Sequence, residues 1–205
     1  MTKTKLNRSL LSIGALILME CSCRADVTLP AIFSDHMVLQ RQAPVPVWGW
    51  ADPDEKVTVA IAGQTQTTTA DDAGQWRLKL DNLSPDGPLT LTVAGHNTIV
   101  IQDVLVGEVW LASGQSNMQL SVNDVTNAWR EKASANFPQI RVFTVARHPA
   151  VTPQTNCGGQ WVVCSPATAG GFSAAAYFFA RELHQKLAVP VGVVHASWGG
   201  TPIET

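Results

Sequence analysis

Charge is scarce in this 205-residue chain: Asp, Glu, Lys and Arg make up 15% of it. Whatever chemistry it runs must rely on uncharged or lightly charged groups. Basic residues show no excess, and the net charge is −2. The first 25 residues hold Lys3, Lys5, Arg8 and Arg24 against Glu20, so without them the charge falls to −5. A chain of that sign offers no surface for a phosphate backbone, which excludes nucleic acid as the expected partner. Also missing are metal-ligand spacings among His, Cys, Asp and Glu, and a glycine-rich phosphate loop. The expectation is therefore no metal and no cofactor. No apolar run is long enough to cross a bilayer; Leu10–Met19 is the best candidate and is too short.

That run is informative in another way. Lys3, Lys5 and Arg8 precede it, and small residues follow it up to Ala25. Charge, apolar core and cleavage site in that order describe a secretory signal over residues 1–25, which predicts a secreted or periplasmic protein. Cys21 raises a lipoprotein alternative, but Glu20 before it is poorly suited to that processing. Of four cysteines, Cys21 and Cys23 would leave with the signal, and Cys157 and Cys164 would remain in one loop. An exported chain favours their pairing, worth about 2–3 kcal/mol. Two free thiols are the alternative.

After the signal, two regimes follow. Residues 26–102 carry short alternating or β-branched runs, PVPVWGW (44–50), KVTVAIA (56–62), 75–80 and LTLTVA (89–94), separated by turn clusters at 52–54, 71–74 and 85–88. This pattern predicts an antiparallel β-sandwich or jelly roll. From residue 103 to 205, apolar runs alternate with helical patterns. Val104–Ala112 reads as a strand buried on both faces, and IRVFTV (140–145) and VGVVH (191–195) as further strands. A helix is expected within 123–135 and another over 172–187, with Phe172, Ala175, Ala176, Phe179, Leu183 and Leu187 as its apolar stripe. Strand, helix, strand, helix, strand implies a parallel sheet with helices on its faces, an α/β fold. Three such strands make a small core with an uncovered edge, so the α/β part reads as incomplete at its C-terminus.

The sharpest local signal is Gly114-Gln115-Ser116-Asn117-Met118, directly after the buried strand. Ligands bind at the carboxyl ends of parallel strands, where loops face the crevice and helix N-termini present free N–H groups. A serine there can act as a nucleophile if a base takes its proton and amide donors receive the oxyanion. Met118 stands where the α/β-hydrolase elbow has its second glycine, so that comparison fails. From local signals alone a helix cap is the more ordinary reading.

Longer strings add weight. FSDHMVLQR (33–41), PVWG (46–49), GEVW (107–110) running into GQSNM (114–118), GGFSA (170–174) and SWGGTPIE (197–204) occur in order along the whole chain after the signal. Together they resemble the sialate O-acetylesterase family of SGNH-type serine hydrolases. The resemblance implies a carbohydrate esterase that removes O-acetyl groups from sialic acid or related glycans through an acyl-enzyme. Ser116 would be the nucleophile and one oxyanion donor, with Gly199 or Gly200 supplying a second amide. Gln115, Asn117 and Trp198 flank that point as candidate substrate contacts. The family's catalytic His and its Asp lie C-terminal of Glu204 in complete members. His36, His96, His148 and His184 lie in other settings, and His195, at the end of a strand, reads as a structural histidine. The competing function is a non-catalytic carbohydrate-binding or docking fragment, suggested by the β-rich half and the missing base.

Overall fold

The computed structural model describes residues 26–84 and 87–202. The expected signal, with Cys21 and Cys23, lies outside them, as do Pro85, Asp86 and residues 203–205. Ten strands and three α-helices are described: β1 Val38–Gln40, β2 Val45–Trp50, β3 Lys56–Ile61, β4 Gln64–Thr69, β5 Gln75–Leu80, β6 Leu89–Ala94, β7 Thr98–Gly114, α1 Ser116–Gln119, α2 Ala128–Ser134, β8 Phe137–Thr144, β9 Trp161–Cys164, α3 Ala174–Leu187 and β10 Val191–Ser197. Eight strands form one mixed sheet ordered β4-β3-β6-β7-β10-β8-β9, with β1 also on β7, and β2 and β5 form a separate ribbon.

The 17-residue β7 organises the molecule. Its first half pairs antiparallel with β6, its centre parallel with β1, and its last seven residues parallel with β10. The strand thus runs unbroken through residues 102–103, and the antiparallel and parallel parts share one sheet. Val104, Leu105, Val106 and Gly107 are buried, as a doubly covered strand requires. The expectation of burial fails further along, where Trp110 is 45% and Leu111 69% exposed.

Two apolar clusters result. One fills the space between the β2–β5 ribbon and the main sheet, with Val47, Val57, Trp76, Leu91 and Val104 among its members. The other lies between the parallel strands and α3, and includes Ile140, Val142, Tyr177, Val191 and Val193. The helix was expected, but its buried residues are Ala174, Ala176, Tyr177 and Ala180. Ala175 is exposed, and Phe179 turns outward to meet Trp110 edge-on at 5.1 Å. The polar hydroxyl of Tyr177 concealed which face would pack.

The expected disulfide is not formed. Cys157 and Cys164 are both free. Cys164 closes β9 and lies in the cluster beneath α3, whereas Cys157 packs against the other cluster. The segment taken for one loop contains a strand, and the strand sends the two thiols to different cores. Burial pushes the Cys164 thiol up to about 11, with the Phe137 backbone acting weakly the other way.

Asp103, about a third exposed, ties the N-terminal string at His36 to the buried Arg141 of β8. Asp103 accepts from Arg141 Nη1 at 2.7 Å and lies 2.6 Å from His36 Nδ1. Burial alone would raise the Asp103 pKa, but the hydrogen bonds from Arg141 and His36 outweigh it and hold the group below its ordinary value. Among the described residues no helix is long and apolar enough to cross a membrane.

Candidate active site

Ser116 stands at the carboxyl end of β7, where the backbone leaves the sheet through Gly114 at φ +142°. Only glycine adopts that angle without strain, so the sharp exit follows from the residue type. Ser116 opens the one-turn helix α1, and the cap position belongs to Gln115, which makes no side-chain capping bond. The capping role that a serine after a strand would ordinarily fill is therefore not what this hydroxyl does. Its Oγ is exposed and donates only to Gln115 Oε1, at 3.3 Å. The Ser116 and Asn117 amides donate to no described residue, which leaves them turned out as first-turn donors.

The β10 exit closes the other side. Trp198 N–H donates to the Gly114 carbonyl at 3.0 Å, holding the two strand ends together. A Cβ on Gly199 would lie 3.4 Å from Ser116 Oγ and 2.9 Å from Gln119 Oε1, so the glycine turn packs directly on the serine turn. Gly199 N–H donates to Gln119 Oε1 at 2.6 Å. The Gly200 amide, at φ +84°, has no acceptor among the described residues. Gln115 and Asn117 are exposed beside the serine, and Trp198 is 40% exposed at the rim. The serine turn and the Trp198–Gly200 turn thus lie side by side, with Gln115 and Asn117 exposed in the serine turn itself, and the two cysteines lie elsewhere.

Beneath this crevice the packing is polar and ordered. Along β10, Val191, Val193, His195 and Ser197 alternate onto the face that carries α1 and α3, as period-two geometry dictates. His195 Nε2 lies 2.6 Å from Ser197 Oγ, and His195 Nδ1 is buried without a hydrogen-bond partner. Burial lowers the His195 pKa, the Met118 backbone pulls it up, and the Arg147 charge lowers it further, for a net fall. Arg147 Nε donates to the Ser197 carbonyl at 3.3 Å. The GGFSA string anchors the far side: Ala174 N–H donates to Leu120 O, Val122 N–H to Phe172 O, and Ser173 Oγ to Met118 Sδ.

No described histidine hydrogen-bonds to Ser116. His195 is engaged with Ser197, His36 with Asp103, His184 with the Val189 carbonyl, and His96 with Glu55 and Asp52. The last of these is also the one group of three possible metal ligands among the described residues. Glu55 is buried there with both oxygens accepting amides, from Asp52 and His96, which makes it a clamp between two turns. Sequence reasoning missed Gln119, Ser197 and Arg147 around the site. Gln119 could have been found, since it lies one helical turn from Ser116; Arg147 is brought in by tertiary packing alone.

No protein-family model matches the chain. It is similar to the sialate O-acetylesterases of Rattus norvegicus, at 35% identity over 83% of this chain and 35% of that protein, and of Homo sapiens, at 34% identity over 83% and 37%. The crystal structure of a carbohydrate acetylesterase from Xanthomonas citri superposes with a TM-score of 0.85 at 42% identity, covering 87% of this chain and 42% of that one. The chain therefore spans about a third of the length of the curated relatives it matches.

Proposed function

Over the length it shares with those relatives the chain belongs to the sialate O-acetylesterase family, and from that premise we propose that it carries the nucleophile of a carbohydrate O-acetylesterase. Ser116 attacks the acetyl carbonyl, the sugar hydroxyl leaves, and water releases acetate from the acetyl-enzyme. The oxyanion is received by the Ser116 amide and by an amide of the Gly199–Gly200 turn. Gln115, Asn117 and Trp198 hold the sugar, the indole offering a flat apolar face. The fold assignment that goes with this reading is an N-terminal β-sandwich followed by the first part of an SGNH-type hydrolase domain. It acts on the secreted or periplasmic side of the membrane, consistent with the signal-like N-terminus.

The observation that carries the proposal is the uncapped, exposed hydroxyl at the end of a parallel strand, with unpaired amides beside it and glycine packed against it. Serine attack needs a base. His36, His96, His184 and His195 are engaged elsewhere, and the exposed His148 makes no hydrogen bond to Ser116 among the described residues. The base is therefore assigned to the part of the family's fold that residues 26–202 do not span. A chimera supplies it: residues 26–205 replace the matching segment of the Xanthomonas citri enzyme. Hydrolysis of p-nitrophenyl acetate by the chimera should fall about a thousandfold or more in Ser116→Ala. Retained turnover in that variant would remove Ser116 from the chemistry.

A further inference from the structure

A second concavity, sharing no residue with the Ser116 site, opens on the β2–β5 ribbon. It measures about 640 Å³ and is lined by Trp48, Trp50, Asp71, Gln75 and Arg77, with Thr68 and Thr69 of β4 and Gln154 and Thr155 of the loop after β8. Its construction follows from the register. Val45, Val47 and Gly49 face the core, so Trp48 and Trp50 face out, directly opposite Arg77 and Gln75. The two indoles are half-buried, Trp48 leaning one edge against Phe33 at a centroid distance of 4.8 Å, and both line the groove. Behind them Gly49 makes room for the buried Trp76, whose ring a Cβ at residue 49 would meet at 2.9 Å, and whose Nε1–H has no acceptor.

The polar groups are available. Arg77 is exposed and forms no ion pair among the described residues. Asp71 is fixed by two amides, Ala73 and Gln75 N–H, both on Oδ1, so Oδ2 has no donor among the described residues. An indole platform beside a fork of donors, a fixed carboxylate oxygen, an amide and two hydroxyls suits a ligand with apolar C–H faces and hydroxyl edges. We propose that this groove is a glycan-binding subsite, formed by Trp48, Trp50, Asp71, Gln75 and Arg77, that holds a sugar chain away from the scissile acetyl group.

One loop links the two places. Arg147 holds the Ser197 carbonyl at the crevice, and seven residues later Gln154 lines the groove, a span of at most about 25 Å. Asn156 Oδ1 accepts from Ala31 N–H and fixes the loop's far end. The groove and the serine turn are thus joined through one loop and share no lining residue, so the groove holds a ring of the glycan other than the one whose acetyl group meets Ser116. The inference rests on the proposed function for its ligand class, while its test is independent of turnover.

The 205-residue chain is titrated with unacetylated cellohexaose, xylohexaose, mannohexaose and chitohexaose, and tryptophan emission and calorimetric heat are recorded. At least one hexaose should bind saturably with a change in emission. Trp50→Ala should weaken that binding about tenfold, and Arg77→Ala or Gln75→Ala, both exposed positions, severalfold. Trp50→Phe should restore most of it, which separates stacking from a folding defect, and Ser116→Ala should leave it unchanged. Binding by none of the four, or binding untouched by Arg77→Ala and Gln75→Ala in folded protein, overturns the subsite. If the chimera's esterase activity depends on Ser116 while the hexaoses fail to bind, the subsite falls and the esterase reading stands. Loss of the Ser116 dependence with binding intact gives the converse.

Discussion

Gly114 and His195 do different work for the same hydroxyl. Gly114 at φ +142° supplies the bend that lifts Ser116 out of the strand, and a Cβ there would also press Met118 at 3.3 Å. Gly114→Ala is expected to cost about 1–3 kcal/mol of stability and to lower kcat in the chimera with little change in KM; denaturant melts and initial rates check both. His195 lies under the same turn, its Nδ1 buried without a partner. With its pKa lowered in the fold, the native chain binds fewer protons here than the unfolded chain does. Its contribution is therefore complete above about pH 6.5 and drains away as pH falls below that value. The stability of the wild-type chain relative to His195→Gln should decline between pH 7 and 5 in paired urea titrations. A constant difference across that range would remove the histidine from the acid response. At this scale the sequence was informative about what stands at the site. Ser116, Gln115, Asn117, Trp198 and the two glycines do converge, because strand ends place them there. Gln119, one helical turn from Ser116, was within reach of the sequence, whereas Arg147 stayed hidden, since it reaches the site only through a contact with a segment distant in sequence.

Among the elements, β2, β3, β5 and β6 match their apolar runs within a residue, whereas β7 begins six residues before the run at 104–112 and β8 three before that at 140–145, where pairing partners extend the strands past the apolar stretch. Elements without such a run were not read. β4, QTQTTT, holds no apolar residue and is a strand because β3 pairs along its whole length. β9, WVVC, is four residues long, and its flanking turn residues concealed it. That omission produced the false disulfide, since a strand between Cys157 and Cys164 separates what a loop would bring together. The correction has a chemical consequence. Native alkylation with iodoacetamide at pH 8 should modify Cys157 well before Cys164, whose thiol is buried and raised to about 11. Peptide mapping without reductant should recover both as thiols; a linked Cys157–Cys164 peptide would contradict the packing described here.

At the scale of the whole molecule, the division at 102–103 inferred from composition marks a change of partners along β7 rather than a break in the chain. The same strand backs the apolar core beneath the ribbon and ends at the serine, so the β-rich half is mechanically continuous with the crevice. This continuity gives the glycan groove and the serine turn a fixed relation through β7 and the 145–160 loop. Trp110 and Phe179 meet edge-on and are exposed beside α3, and Leu111, the next residue of β7, is exposed on the opposite face of the sheet; no local pattern foretold either, because the run around them reads as core.

The most direct test of the central assignment is covalent. The chimera is treated with a fluorophosphonate and digested, and the modified peptide is sequenced by mass spectrometry. The adduct is expected on Ser116 alone, forming at the same rate at which acetate release is lost. An adduct on another serine with turnover abolished, or full inactivation with residue 116 unmodified, would contradict the account.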